Sequence, residues 1–256
     1  MQILVLYDSI KGEALGIAFL RALYPRKCPG CRGVIRTDML ICPDCRDAFR
    51  RILPPYCLKC GRHVNEDDEY CPECAAKDHS YTAGIAMFEY DSRMKRSMSD
   101  FKFNGWRENG DYYVAETLKY HADDILKFGP YALIPVPIHR SKRAYRGYNQ
   151  AEIIADGIGD ALDIRVVKDL LVRNKKTKAQ KALGQESRSA NLKSAFICNA
   201  DKYDETQVRK LFPRVMLIDD IYTTGATMEG CATALINAGV QQVGILSITA
   251  GGSVMS

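Results

Sequence analysis

The stretch from Val215 to Thr227, VMLIDDIYTTGAT, limits what this chain can fold into more than any other. Its four leading apolar residues, Val215, Met216, Leu217 and Ile218, suit a strand buried on both faces of a parallel sheet. Asp219 and Asp220 follow, then Ile221 and Tyr222, and the run closes on Thr223, Thr224, Gly225, Ala226 and Thr227 before a helical pattern. A strand that passes through small hydroxylated residues into a helix N-terminus forms an anion cradle. Backbone N–H groups and the positive end of the helix dipole face the anion, threonine hydroxyls add donors, and Gly225 permits close approach. The lysine-bearing nucleotide loop GxxxxGK[ST] is absent. Two acids just upstream would instead hold ribose hydroxyls or a hydrated magnesium ion while the cradle takes a 5′-phosphate.

This run resembles the phosphoribosyl-diphosphate (PRPP) motif of type I phosphoribosyltransferases: an apolar strand, two acids, two further residues, then T-T-G-x-T, with every defining position filled. An ordinary strand–turn–helix would need only a bare TG turn.

Eight of the ten cysteines form four CxxC pairs: Cys28/Cys31, Cys42/Cys45, Cys57/Cys60 and Cys71/Cys74. Ten residues separate the first pair from the second, and ten separate the third from the fourth. Two thiolates at this spacing reach one metal from a tight turn, and a second pair completes a tetrahedral shell. The layout suggests two tandem zinc ribbons, with an interleaved pairing as the alternative. Four thiolates per site leave no open position, so the zinc is expected to be structural and to supply most of the segment's folding free energy, of order 10 kcal/mol per site. Chelation is then expected to unfold residues 28–74 and spare the rest. Cys198 and Cys231 stand apart and read as buried thiols.

The residues before Cys28 contain neither an apolar run long enough to span a bilayer nor the pattern of a signal peptide, so a cytoplasmic location without membrane insertion is expected. A disulfide scaffold fits that setting poorly. The net charge of +5 suits nucleic acid or phosphorylated small molecules without choosing between them. Three segments are expected: an N-terminal helical piece over 1–27 (with a helix from Glu13 to Leu23), the double ribbon over 28–78, and an α/β domain over 79–256.

Within that last part, strands are expected at Thr82–Tyr90, Tyr131–Val136, Ile164–Val167, Leu170–Val172, Ala195–Cys198 and Val243–Ile248. Helices are expected over Ser92–Phe103, with a basic outer face, over Asp111–Lys127, and after Gln150. Pro135, Val136 and Pro137 form a stiff turn leading into a basic loop that carries Arg140, Lys142, Arg143 and Arg146. Arg173 to Lys193 is a polar excursion with seven basic residues against one acidic, and Asn199–Pro213 reads as a surface connection. Alternating strands and helices imply a parallel sheet, whose ligands sit at the carboxyl ends of the strands. The basic run and the acid pair can then face one ligand.

The paired knuckles, PVPIHRSKRAYRGYNQAE from Pro135 to Glu152, and the terminal VMLIDDIYTTGAT together resemble the ComF family of competence-associated proteins from Cys28 onward. Thr177, Gln180, Leu183, Arg188 and Asn191 are similar to that family's mobile-loop pattern. The resemblance implies a type I phosphoribosyltransferase-like parallel sheet behind an N-terminal double zinc ribbon, PRPP with magnesium as ligand, and a role in handling incoming single-stranded DNA with a competence helicase. By motif, Asp219 and Asp220 would bind ribose hydroxyls and position magnesium, and Thr223 to Thr227 would hold the 5′-phosphate. Pro135, Val136, Pro137 and Arg140 would border the diphosphate, with Arg143 and Arg146 as further cations. One reading is phosphoribosyl transfer with diphosphate release. The other is a non-catalytic PRPP sensor or DNA- and helicase-binding adaptor, for which Trp106, Tyr145 and Tyr148 are candidate stacking residues.

Overall fold

The structure, a computed structural model, describes residues 25–173 and 195–251. The helix expected at 13–23 and the motif residues Thr177, Gln180, Leu183, Arg188 and Asn191 lie outside them. The chain divides into two compact units, Met1–Ala48 and Phe49–Ser256.

In the first unit the knuckle at Cys28 closes through Cys28 N–H to Gly33 O (2.8 Å) and Arg32 N–H to Cys28 O (2.9 Å). A 3₁₀ turn over Pro43–Cys45 presents the second pair. Among the described residues its buried apolar cluster is Cys28, Ile35, Cys45 and Ala48, too few to hold the ribbon segment without metal.

The second unit opens with the other ribbon, which includes the short helix α1 (Pro72–Ala75). Strand β1 (Ala83–Glu89) follows, then helices α2 (Ser92–Phe103) and α3 (Asn109–Phe128). Asp91 caps α2 by accepting from Met94 N–H, and Gly129 stops α3 in a left-handed conformation. Next come β2 (Ala132–Pro135), α4 (Arg140–Arg146), α5 (Gln150–Leu162), and an antiparallel pair, β3 (Leu171–Arg173) with β4 (Phe196–Cys198). Helix α6 (Glu205–Leu211), β5 (Arg214–Tyr222), α7 (Ala226–Asn237) and β6 (Gln242–Ala250) complete it.

The main sheet runs β1-β6-β5-β2 and is parallel throughout. Val215 sits opposite Val243 and Ala132, and Ile218 opposite Leu246 and Pro135. Buried residues occupy nearly all of β6 and the Val215–Ile218 run of β5, as expected of strands covered on both faces.

Four expectations need correction. Strand β5 continues through the acid pair to Tyr222, because β6 extends to Ala250 and gives residues 219–222 partners to pair with. The basic run is the helix α4, capped at its start by the His139 side chain and ended at Gly147. Asn199–Pro213 contains α6, whose capping box joins Asp204 and Gln207. Residues 164–167 contribute a single bridge, Val166 to Leu133, in place of a strand. Cys231 is buried as expected, whereas Cys198 is only half-buried.

Candidate functional site

The eight knuckle thiols fall into two sets, Cys28/Cys31/Cys42/Cys45 and Cys57/Cys60/Cys71/Cys74, each with its sulphurs within 4.8 Å of one another. This is the tandem pairing. Sulphurs about 2.3 Å from a tetrahedral zinc stand about 3.8 Å apart. The separations Cys28–Cys42, Cys31–Cys42 and Cys60–Cys71 are 3.6, 3.8 and 3.7 Å, so the residues fit the ion. Both sites are closed four-thiolate shells, suited to structural zinc. All four cysteines of the second set are buried, while Cys31 in the first is exposed.

The second ribbon packs backbone to backbone on β1. Gly84 N–H donates to Leu58 O (3.0 Å), and Gly84 has to be glycine, since a Cβ there would lie 2.2 Å from Lys59 O. Upstream, Ile52 N–H donates to Met87 O and Glu89 N–H to Arg50 O, joining the incoming chain to the open side of the same strand.

At the carboxyl ends of β2 and β5, the turn Pro135–Pro137 is tied to the acid strand by Val136 N–H to Ile218 O (2.9 Å). Asn149, buried, donates from its side chain to Val136 O while capping α5. Adjacent strand residues face opposite ways, and the acids obey this. Asp220 turns toward α2, where Lys102 Nζ lies 2.8 Å from its Oδ1. Asp219 accepts the N–H of Asp220, and its charge is felt by Cys231 on α7. Loss of hydration, then the neighbouring Asp220 carboxylate, pushes Asp219 up to about 7. Two adjacent acids that share one close lysine favour a further cation, so the donor set fits magnesium.

Sequence reasoning placed Lys102 on an outer face. Yet the stripe Met94, Met98 continues to Lys102 at helical spacing, and that period carried the signal. Lys142 is depressed by lost hydration first and then by the cations Arg146, Arg173 and Lys102, which marks these four as one basic cluster beside the acids. Arg146 also bonds Gln150 and lies over the Phe103 ring. Arg143 instead pairs with Glu152, and Arg140 is exposed. His139 uses Nδ1 to cap α4.

Past Tyr222 the chain turns at Gly225 (φ 74°) into α7. Thr223 and Thr224 are exposed, and no side chain caps this helix. The first intrahelical bond is Glu229 N–H to Gly225 O (2.8 Å), so the amides of Ala226, Thr227 and Met228 precede the helix's own ladder. A Cβ on Gly225 would meet the Tyr222 hydroxyl at 2.4 Å. Gly225→Ala is therefore expected to cost about 1–3 kcal/mol of stability and to weaken ribose 5-phosphate binding by at least about tenfold. Unchanged affinity in calorimetry would show that this turn is not the cradle.

A family model described as a double zinc ribbon domain matches residues 19–75. Over most of its length the chain is similar to competence proteins. It is 29% identical over 227 residues to competence protein F of Haemophilus influenzae, covering 85% of this chain and 93% of that one. It is 27% identical over 215 residues to competence protein ComFC of Streptococcus pneumoniae, covering 82% and 88%.

The chain is similar to the ComF proteins of competence.

DNA utilization protein YhgH of Escherichia coli K12 is similar to this chain at a lower level, 21% identity over 220 residues. The chain has an α/β parallel sheet of the phosphoribosyltransferase type together with the double ribbon. No helix among the described residues is long and apolar enough to cross a membrane.

Proposed function

We propose that this ComF-like protein binds PRPP with magnesium at the rim of β2 and β5 and acts in handling single-stranded DNA. One observation carries the reading: a single strand delivers two adjacent carboxylates and, five residues later, turns through Gly225 into a helix whose first amides have no internal partner. The cradle from Thr223 to Thr227 takes the 5′-phosphate. Asp219 and Asp220 take the ribose hydroxyls and hold magnesium, which neutralises diphosphate charge when bound. Pro135–Pro137 and the cations Arg140, Lys142 and Arg146 border the diphosphate. Lys102 orients Asp220.

Support for the DNA role comes from the names of the relatives and from α4. Tyr145 is 76% exposed there amid Arg140, Lys142 and Arg143, which suits stacking on an unpaired base beside backbone phosphates. Of the other two aromatic candidates, Tyr148 is buried with its hydroxyl donated to Phe101 O, and Trp106 is half-buried.

Calorimetry with PRPP is expected to show binding that requires magnesium; its absence would overturn the ligand assignment. Diphosphate release in the presence of nitrogen bases separates a transferase from a sensor. Binding to an oligo(dT) strand is expected to weaken several-fold or more between about 50 and 200 mM salt, and a flat response would remove the DNA reading.

A further inference from the structure

Arg62 lies in the second ribbon, two residues after Cys60, yet its contacts lead to the other end of the unit. Its side chain is only 9% exposed. One terminal nitrogen lies 3.4 Å from Glu73 Oε1 of α1, and the other donates to Thr223 O at 3.3 Å. Its guanidinium lies 5.2 Å from the centre of the Tyr222 ring. The carbonyl of Arg62 accepts the N–H of the knuckle residue Cys57 at 2.7 Å. A zinc ion with four thiolates carries roughly two negative charges, so this buried cation sits against the metal cluster as its counter-charge.

Two further links fasten the ribbon's trailing segment to the cradle. Tyr81 and Tyr222 hydrogen-bond through their hydroxyls at 2.9 Å in the core. Ser80 offers its N–H and hydroxyl, and His79 its Nδ1, to the Glu229 carboxylate in the first turn of α7.

The peptide between Thr223 and Thr224 is planar and trans, so its C=O and N–H point opposite ways. Holding Thr223 O toward Arg62 directs the Thr224 N–H away from the ribbon, to the side on which the cradle opens. We propose that Arg62 is a positioning residue for the phosphate loop: it ties the second zinc–thiolate cluster to Thr223 and makes 5′-phosphate binding depend on that cluster. This rests on the reading of residues 223–227 as the cradle. Without the thiolate charge, the guanidinium would be left in the core with Glu73 alone, and its hold on Thr223 would slacken.

The test uses the full zinc-replete chain. Arg62→Gln is expected to keep wild-type zinc content and to bind ribose 5-phosphate about tenfold or more weakly, while magnesium diphosphate, held on the α4 side, changes less than about twofold. Glu73→Gln leaves Arg62 in place with one anchor fewer, and is expected to give the same ligand split with a smaller loss, about two- to threefold. It serves where the first variant folds poorly. Wild-type ribose 5-phosphate affinity in Arg62→Gln, or equal losses for both ligands, would overturn the proposal and leave Arg62 as a ribbon residue only. Failure of the unmodified protein to bind ribose 5-phosphate at all would instead sink the cradle assignment.

Discussion

A chain carrying Asp219→Asn and Asp220→Asn is expected to bind magnesium–PRPP about a hundredfold or more weakly while remaining folded. Both carboxylates are lost, and with them the charge for a divalent cation and the acceptors for ribose hydroxyls. The single variants should differ in stability. Asp220→Asn removes the partner of Lys102, a pair of which neither member is well exposed, and should destabilise. Asp219→Asn should do the opposite in metal-free buffer at neutral pH. The folded state holds the Asp219 proton up to about 7, whereas the unfolded chain releases it near about 4. Between those values the folded state binds more protons, so wild-type stability falls as pH rises, and the Asn variant should lose that slope. Thermal melts from pH 4 to 8 with calorimetric titrations measure both. Unchanged affinity in the double variant would contradict the site, and an unchanged pH slope in Asp219→Asn would contradict its loss of hydration.

Chelation should act in two steps of unequal consequence. The first set contains the exposed Cys31 and, among the described residues, is backed by few packed apolar side chains, so its metal should leave first and unfold only that ribbon. The second set is fully buried, and its ribbon is bonded to β1 through Leu58 and Gly84. Loss of that ion removes of order 10 kcal/mol, comparable to the whole stability of a domain. The melting temperature should then collapse and amide exchange should rise through β1 and residues 223–229. Zinc release followed by a chromogenic chelator, with hydrogen exchange in parallel, separates the steps. Both ions leaving with β1 still protected would refute the coupling. This outcome differs from the sequence expectation that residues 28–74 would unfold alone, because the spacing of cysteines says nothing about which strand a ribbon packs on.

What the sequence made legible followed from local rules. The apolar runs at Val215 and Val243, the stripe through Ile154 and Ile158, and the CxxC repeats each carry their own period, and all became elements or clusters. Helix α6 was legible but unread: Asp204 and Gln207 spell a capping box in a segment whose mixed charge suggested a connection. Lys102 and the extension of β5 through the acids depend on partners far along the chain, α2 for one and β6 for the other. Arg62 is the extreme case, lying 161 positions from the carbonyl it holds. No spacing rule reaches that far.

The position of β1 at the end of the row β1-β6-β5-β2 has a consequence for metal-starved cells. An outermost strand with unsatisfied peptide groups is a template for another chain, and here residues 50–58 occupy those groups only while the ribbon is folded. Zinc scarcity would bare an apolar margin of the sheet and open that population to self-association.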